Sequence, residues 1–366
     1  MSDLKIRIIA VGDVSFAGDF PEIEIIKSSS KIEKIMLSGD IIFCNLESPL
    51  TSEVNKQKSH YSKILNDKKC IFLKSSPTCN KYLQLFHFNV VSLANNHIMD
   101  YLTKGLIDTI ENLRKVNINH VGAGKNIKEA TTPFLFKKNG VLIGLLAFSY
   151  TYEALNKYPG CAPIYQKLII KNITELRAKC DIIIISLHFG EEFSLIPEKS
   201  EIDFCHSLVN SGANVILGHH PHVVRLIENY RGGIIAYSLG SFIFDPKIHI
   251  FNNRKEFDDD IRGGIILQLD INPDKSLEYS TYSIRLNDYG LPKQAIEISS
   301  EIENQKNTIY QIKNSDFPEQ ITEKSHEVQK KERKIKILAK IVIFSIIKGE
   351  FRNIVLLIKR AAWRHL

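Results

Sequence analysis

Three histidines lie close together at the end of one apolar segment. Residues 214–217 predict a short buried strand, which leads directly into Gly218-His219-His220-Pro221-His222-Val223. Imidazole is a good ligand for borderline transition metals, and a buried cluster of unpaired imidazoles would be costly. The stretch therefore predicts a metal site, with a run of surface histidines as the alternative.

Two further apolar segments end in acidic side chains. Asp13 follows a predicted strand at 6–11, and Asn45 and Glu47 follow another at 41–44. Asn45 and Glu47 share one side by the two-residue period of a strand, so both can contribute oxygen ligands. The alternative for Asp13 is an ordinary turn in which its side chain caps its own backbone. The alternative for Asn45 and Glu47 is an ordinary polar strand end.

The same arrangement occurs twice more. A predicted strand at 88–93 is followed by Asn95, Asn96, His97 and Asp100, and a strand at 181–187 delivers His188. Taken singly, a histidine at such a place can be a satisfied core group. Together, five predicted strands end in carboxylate, carboxamide or imidazole groups. Ligand sites gather at the carboxyl ends of strands in α/β sheets, so the pattern indicates a binuclear metal centre.

The rest of the chain predicts the elements that must position these groups. Helices are expected at 78–86, 104–115, 166–179 and 200–211, and hairpins at 134–148 and 226–237. Strands at 263–269 and 279–286 are expected to close a second sheet. The lysine-rich residues 51–76 are expected to form an exposed flap, and Gly122-Ala123-Gly124 a turn without a cofactor role.

Composition narrows the class of protein. The chain has 366 residues, of which 44% are hydrophobic and 24% charged, and a net charge of +7. This is ordinary globular composition, and much of the positive charge lies near the carboxyl end, so no nucleic-acid partner is expected. The six cysteines form no C-x-x-C pair and are expected to be free thiols. No signal peptide and no uncharged membrane-spanning run is evident, so a cytoplasmic protein is expected.

The last part of the chain differs from the rest. Residues 301–323 are polar and predict a linker after a domain at 1–300. Residues 324–366 predict a basic amphipathic helical tail with a terminal tryptophan, Trp363. Such a helix can lie on an anionic membrane surface, here the inner face, or it can dock on the core or on a partner subunit.

Several of these motifs resemble the CapA family, the poly-gamma-glutamate capsule biosynthesis family, which is related to the calcineurin-like metallophosphoesterases. The motifs that carry the resemblance are Gly12-Asp13, 45–51, 92–100, 188–193, 218–223 and 237–245. The resemblance covers roughly residues 6–270 in the right order. It implies an α/β (α+β) fold, a four-layer α-β-β-α metallophosphoesterase-like sandwich with the metal centre between sheet ends.

The resemblance also implies a role for each motif residue. It implies two divalent ions, which could be Mn, Fe or Zn. The implied metal ligands are Asp13, Glu47, Asn96, His188, His219 and His222. Glu47 would bridge the ions, Asp13 and His222 would bind the first, and Asn96, His188 and His219 would bind the second.

Other motif residues would act around the metals. His97 would serve as the acid or phosphate-orienting group, positioned by Asp100. The candidates for supporting the ligands or contacting substrate are Asn45, His220 and Glu192. Three positions depart from the family pattern: Phe189, Ser241 and Leu102 stand where tryptophan, asparagine and glycine are usual. These departures bear on substrate fit more than on metal binding.

The function expected from this centre is phosphoester hydrolysis in capsule or cell-surface polymer biosynthesis, with a bridging hydroxide as nucleophile. The substrate would be an anionic phosphorylated or polymeric molecule. The alternative is a polyanion-binding factor without catalysis, within a polymer synthesis or export complex. A nucleic-acid phosphodiesterase is disfavoured because no interleaved aromatic and basic stripe is present.

Overall fold

The structure is a computed structural model that describes residues 5–56, 71–245, 247–248 and 258–297. The strands are, in chain order, β1 (Ile6–Val14), β2 (Ile41–Leu46), β3 (Val90–Ser92), β4 (Asn119–Val121), β5 (Ala123–Gly124), β6 (Phe134–Lys138), β7 (Val141–Ser149), β8 (Gly160–Cys161), β9 (Ile182–His188), β10 (Val215–His219), β11 (Ile227–Tyr230), β12 (Gly233–Ala236), β13 (Ser241–Ile243), β14 (Gly263–Ile271), β15 (Leu277–Leu286) and β16 (Pro292–Glu297). The helices are α1 (Glu22–Met36), α2 (Asn80–Leu85), α3 (Leu102–Lys115), α4 (Ile127–Ala130), α5 (Gln166–Arg177), α6 (Lys199–Asn210) and α7 (Asp258–Ile261), and a 3₁₀ helix at Pro77–Cys79 precedes α2.

Most of these strands belong to two sheets. The first has the order β16-β15-β14-β1-β2-β3-β4, and β13 pairs with β1 outside this path. The second has the order β11-β12-β10-β9-β7-β6. Strands β1 to β4 are parallel, as are β7, β9, β10 and β12. In each sheet the carboxyl ends of these central strands therefore point the same way.

The central strands are apolar on both faces because both faces are covered. In β1, Ile6, Ile8 and Ala10 belong to the core between the two sheets, which also contains Ile143 and Ile184 of the second sheet. Ile9 and Val11, between them in β1, pack in the hydrophobic cluster on the outer, helix-covered side. The two-residue period of a strand thus sends alternate side chains into two separate hydrophobic layers.

Helices cover the outer face of each sheet. Ile25 and Ile32 of α1 pack in the same hydrophobic cluster as Ile9 of β1. On the second sheet, α5 buries its apolar side, including Ile173 and Leu176, and α6 packs beside it. The layers are helix, sheet, sheet and helix, which confirms the predicted α-β-β-α sandwich.

One predicted strand pairing is wrong. The segments 263–269 and 279–286 are strands, but they do not close the second sheet. They extend the first, because β14 runs antiparallel to β1, with Leu269 opposite Ile8, and β15 pairs with β14. The alternation of apolar residues predicts a strand but carries no information on a partner more than 250 residues away.

Two local predictions also need correction. Residues 51–76 were expected to be an exposed flap, yet Thr51, Leu73 and Ser75 are buried. Backbone hydrogen bonds join Thr51 to Ser75 and Ser75 to Pro49, so the described ends of this segment belong to the domain. Residues 57–70 lie outside the described residues. In the expected turn at 122–124, Ala123 and Gly124 form β5, which pairs with β8.

The tail predictions lie outside the part of the chain that the structure describes. This holds for the linker at 301–323, the amphipathic helix at 324–366 and the last residues of the domain assigned to 1–300. Within the described residues, no helix has both the length and the apolar character needed to cross a membrane. The five cysteines that are described are free, and four of them are buried, as expected for thiols in a packed core.

Gly218 allows two backbones to approach closely at the end of β10. A Cβ at this position would lie 2.2 Å from the carbonyl oxygen of Tyr237 and 2.5 Å from its carbonyl carbon. Backbone atoms cannot rotate away, so we expect Gly218→Ala to lower the free energy of unfolding by about 3 kcal/mol, the upper part of the range for overpacking. Urea unfolding with a chelator present measures this loss.

Gly263→Ala is the matched control, because its Cβ would meet nothing closer than 3.2 Å. We expect that variant to stay within about 1 kcal/mol of the natural protein. Equal unfolding midpoints for both variants would show that the close approach at Gly218 contributes nothing.

Candidate metal centre

The carboxyl ends of four strands carry the polar side chains of this centre. Asp13 lies near the end of β1 and Glu47 directly follows β2, both in the first sheet. His188 ends β9 and His219 ends β10, both in the second sheet. The structure therefore brings together, between the two sheets, residues from four separate parts of the sequence.

Asp13 is fully buried and its carboxylate is held on both sides. Its Oδ1 accepts a hydrogen bond from Asn45 Nδ2 at 2.8 Å, and its Oδ2 accepts one from the backbone N–H of His220 at 3.1 Å. Nδ1 of His219 and Nδ1 of His222 each lie 3.4 Å from one of its oxygens. Burial alone raises the pKa of Asp13, but the imidazoles of His219 and His222 outweigh burial and lower it below the ordinary value.

Glu47 is also fully buried, and its surroundings are different. Neither of its carboxylate oxygens has a hydrogen-bond partner within the described residues. Its Oε1 lies 3.7 Å from His188 Nε2 and 3.6 Å from His222 Nε2. Burial, and then the charge of Asp13, raise the pKa of Glu47 well above its ordinary value. Two buried acceptor atoms without donors indicate a site that a cation would stabilise.

His188 links the two sheets through its ring nitrogens. Nε2 lies 2.9 Å from Oδ1 of Asn96, and Nδ1 lies 3.3 Å from Nδ2 of Asn45. Burial, and then the neighbouring His220, lower the pKa of His188 well below its ordinary value. This shift favours the neutral ring, which is the form that binds metals.

The turn after β10 determines which of its histidines meet Glu47. His220 and His222, on either side of Pro221, have φ angles of +97° and +57°, in the left-handed region. With this backbone, His220 joins Glu47 and His188 in one group whose ligand atoms lie within 4.8 Å of one another. Asp13, Glu47 and His222 form a second such group. The two groups share Glu47.

The family resemblance implied different roles for His219 and His220: a ligand of the second metal, and a residue that supports the ligands or contacts substrate. His219 is fully buried, its Nδ1 lies 3.4 Å from Asp13, and neither ring nitrogen makes a hydrogen bond within the described residues. His220 was expected only to support the ligands, but its ring centroid lies 4.7 Å from that of His188, and its Nδ1 is likewise buried without a hydrogen bond. Both rings belong to the centre.

His97 and Asp100 form a pair at the edge of the centre. Nδ1 of His97 lies 2.7 Å from Oδ2 of Asp100, and the same oxygen accepts a hydrogen bond from the backbone N–H of Leu73 at 2.8 Å. His97 is partly exposed and Asp100 is buried. This carboxylate therefore orients the His97 ring through Nδ1 and leaves Nε2 on the side directed away from Asp100.

Glu192 lies close enough to His220 to affect the charge of that ring. Burial lowers the pKa of His220, and the negative charge of Glu192 opposes that effect. The loop that carries Glu192 is held by Arg225, whose guanidinium donates to the carbonyl oxygens of Ser194 and Glu191. The buried carboxylate of Glu201 compensates the charge of Arg225 at 3.0 Å.

The donor set could hold a metal ion. It offers two buried carboxylates, a carboxamide oxygen and several imidazoles, and several of these atoms lack a hydrogen-bond partner within the described residues. Mn, Fe and Zn all accept such mixed oxygen and nitrogen ligands.

Sequence reasoning missed three residues that shape the centre. Asn95 was noted as part of a polar strand end but received no role; it bonds Asn45 through Nδ2 at 3.2 Å. Arg225 follows the histidine turn in the sequence, and a positive charge at that place was the signal that could have identified it. Phe193 stacks on the ring of His222, with centroids 6.2 Å apart. Nothing in the local sequence identifies this last contact.

The departures from the family pattern have visible structural settings. Leu102 has a φ of +59° at the start of α3, a backbone conformation that favours glycine. Oγ of Ser241 lies 3.3 Å from Nδ1 of His222. Phe189 is buried beside the site. None of the three replaces a residue of the two ligand groups.

Comparisons with known proteins agree on a family. Residues 7–246 match the family described as bacterial capsule synthesis protein PGA_cap. The PGA biosynthesis protein CapA of Bacillus subtilis is 34% identical over 219 residues, which cover 58% of this chain and 56% of that protein. The capsule biosynthesis protein CapA of Bacillus anthracis is 31% identical over 222 residues, which cover 58% and 53%. The chain thus spans little more than half the length of these relatives.

Among solved structures, a crystal structure described as a novel phosphatase from Mycoplasma pneumoniae aligns with 82% of this chain and 97% of its own, at 16% identity and a TM-score of 0.47.

Proposed function

The chain belongs to the bacterial capsule synthesis protein family PGA_cap, and on that premise we propose that it is a metal-dependent phosphoester hydrolase of capsule or cell-surface polymer biosynthesis. The observation that carries the proposal is Glu47. It is a buried carboxylate whose two oxygens make no hydrogen bond within the described residues, and it is shared by two groups of metal-binding side chains. A carboxylate placed in this way suits a bridge between two cations.

The residues that would hold the ions fall into two sets. Asp13, Glu47 and His222 would hold one ion. Glu47, His188 and His220 would hold the other, with Asn96 beside His188. His219 is a further candidate through its place next to Asp13. When bound, two divalent ions would supply positive charge and Lewis acidity to a phosphoryl group.

Residues of this chain would supply the proton that the leaving oxygen of the substrate needs. Asp100 accepts from Nδ1 of His97, so Nε2 is the nitrogen left to exchange a proton with substrate. A protonated His97 would donate from Nε2 to the leaving oxygen, and Asp100 would stabilise the positive charge on the ring. The backbone N–H of Leu73, which also donates to Asp100, would hold that carboxylate in place.

The class of substrate is inferred from the relatives. Those from Bacillus are named for the biosynthesis of PGA and of capsule. For this chain we infer an anionic phosphorylated or polymeric substrate, handled in a polymer-synthesis complex.

The test combines metal content with turnover. We expect the purified chain to contain about two equivalents of Mn, Fe or Zn by elemental analysis, and to hydrolyse an aryl phosphate in their presence. Loss of both metal and turnover after treatment with a chelator, and their return with added metal, would support the proposal.

Two results would argue against it. A chain loaded with metal but inert on aryl and alkyl phosphates would favour a polyanion-binding factor in a synthesis complex. A chain that takes up no metal under any condition would overturn the assignment of the centre itself.

A further inference from the structure

Arg225 is a buried cation, and each of the three nitrogens of its guanidinium donates a hydrogen bond. Nε donates to the carbonyl oxygen of Ser194 at 2.6 Å, and Nη2 donates to that of Glu191 at 3.0 Å. Nη1 donates to Oε2 of Glu201, in α6, at 3.0 Å. A guanidinium suits such a contact because its charge is permanent and its donors have fixed directions. Arg225 thereby joins α6 to the loop at residues 190–194.

The loop at 190–194 has a backbone that needs support. Gly190 and Phe193 have φ angles of +96° and +63°, both in the left-handed region. For a phenylalanine this conformation costs free energy, so it persists only where the surroundings hold it. A Cβ at position 190 would lie 2.8 Å from Nη1 of Arg225 and 2.8 Å from Oε1 of Glu201. The loop therefore begins directly against this ion pair.

Phe193 links the loop to the metal centre. Its backbone N–H donates to the carbonyl oxygen of Pro221, in the histidine turn, at 2.8 Å. Its ring stacks on the buried ring of His222, with centroids 6.2 Å apart and planes at 29°. The ring of Phe244 also contacts His222, with centroids 4.7 Å apart. Two aromatic rings thus limit how the imidazole of His222 can turn.

We propose that Arg225 is a positioning residue that holds Phe193 and, through it, sets the orientation of His222 and the affinity for one of the two ions. Nδ1 of His222 lies 3.4 Å from Asp13, and its Nε2 lies 3.6 Å from Glu47. These three residues form one group of metal-binding side chains, and His222 is absent from the other. Only the effect on affinity rests on the proposed function; the orientation of His222 does not.

The orientation of His222 can be measured in the metal-free chain. Proton–carbon correlation spectra of the histidine rings, recorded at one pH, respond to the aromatic rings that pack against each imidazole. The His222 signals are identified by their absence in His222→Gln. Arg225→Lys keeps a charge opposite Glu201 but loses the planar fork. We expect it to move the His222 signals from their natural positions, as Phe193→Ala should. Unmoved signals in a folded Arg225→Lys variant would overturn the proposal, whether or not the chain binds metal.

The second measurement is the affinity for each ion, by calorimetric titration of the metal-free chain with Zn or Mn. In Arg225→Lys we expect one equivalent to bind as in the natural protein. The other should bind roughly 10–100-fold more weakly, as for other changes in groups that orient ligands. Natural affinity for both equivalents, or an equal loss for both, would overturn the proposal. A natural protein that takes up no metal would contradict the proposed function, and the spectra would then decide the role of Arg225.

Arg7→Lys is the matched control. Arg7 also makes a bidentate contact with a carboxylate, from Nε to Oδ1 of Asp270 at 2.6 Å and from Nη2 to Oδ2 at 2.8 Å. It lies near the start of β1, whereas Asp13 lies near the end of that strand. We expect this variant to keep the natural His222 signals and both affinities.

Phe193→Ala decides the case in which Arg225→Lys fails to fold. With Arg225 intact, it should weaken the same single ion, and natural affinity for both ions would overturn the proposal. Where both variants fold, the double variant should lose no more affinity than the more affected single variant, because both changes act on one contact. Additive losses would overturn the route through Phe193.

Discussion

Glu47→Gln is expected to reduce metal affinity by at least about 100-fold, and turnover with it, since even groups that only orient ligands contribute roughly 10–100-fold. The change keeps the shape of the side chain and removes its charge. Glu47 belongs to both groups of metal-binding side chains, so its loss should affect both ions. Elemental analysis after dialysis, and titration with Mn or Zn monitored by calorimetry, measure the loss.

The metal-free variant provides a second readout that separates this effect from misfolding. Burial raises the pKa of Glu47 in the folded chain. Below the pKa that Glu47 has in the unfolded chain, its contribution to folding stability is therefore fully present. That contribution is lost as the pH rises through the raised pKa of Glu47 in the folded chain. Without metal, Glu47→Gln should unfold at the same temperature as the natural protein or higher at neutral pH, with a weaker decline as pH rises.

Glu111→Gln, on the exposed side of α3, is the matched control and should change neither metal content nor turnover. Full metal occupancy in Glu47→Gln would contradict the bridging role. A metal-free Glu47→Gln variant that is less stable than the metal-free natural protein would contradict the conclusion that the buried charge of Glu47 costs stability.

His97→Ala is expected to lower turnover by roughly 10²–10⁴-fold, the usual contribution of a general acid, while metal content stays unchanged. His97 is in neither of the two ligand groups. The loss should depend on the leaving group. An alkyl phosphate needs a proton on its leaving oxygen more than an aryl phosphate does, so it should lose more.

Equal losses for both esters would instead assign His97 to the orientation of the phosphoryl group. Asp100→Asn should lower turnover less than His97→Ala, because the ring remains present. His87→Asn is the control: its side chain lies 3.7 Å from Glu33, outside the groups of the centre. A loss of metal in His97→Ala would contradict a role as proton donor only.

The position of the centre was predictable because each of its strands is a short apolar run that stops at a polar group. Asp13, Glu47 and His188 are all found in this way, since the carboxyl ends of parallel strands meet. The four-layer arrangement followed from the order of motifs. The strands that pair with β14 could not be predicted, because pairing between segments far apart in the chain leaves no local signal in the sequence.

The resemblance implied that His219 and His222 bind metal and that His220 supports them, but the residue types alone do not separate these roles. His219, His220 and His222 are equivalent as ligand types, and only the left-handed backbone at His220 and His222 determines which rings meet Glu47. Asn95 was overlooked for a related reason. Two adjacent asparagines look alike in a sequence, and only their hydrogen-bond partners in the structure distinguish them.

The centre joins residues that are far apart in the order of synthesis. Asp13 and the backbone N–H that holds it belong to residues 207 positions apart. At about 5–20 residues per second, the ribosome needs roughly 10–40 seconds to produce the second after the first. During that interval the carboxylates of the first sheet are present on the nascent chain without the imidazoles of the second. The complete set of donor groups therefore exists only after the histidine turn of the second sheet has been made.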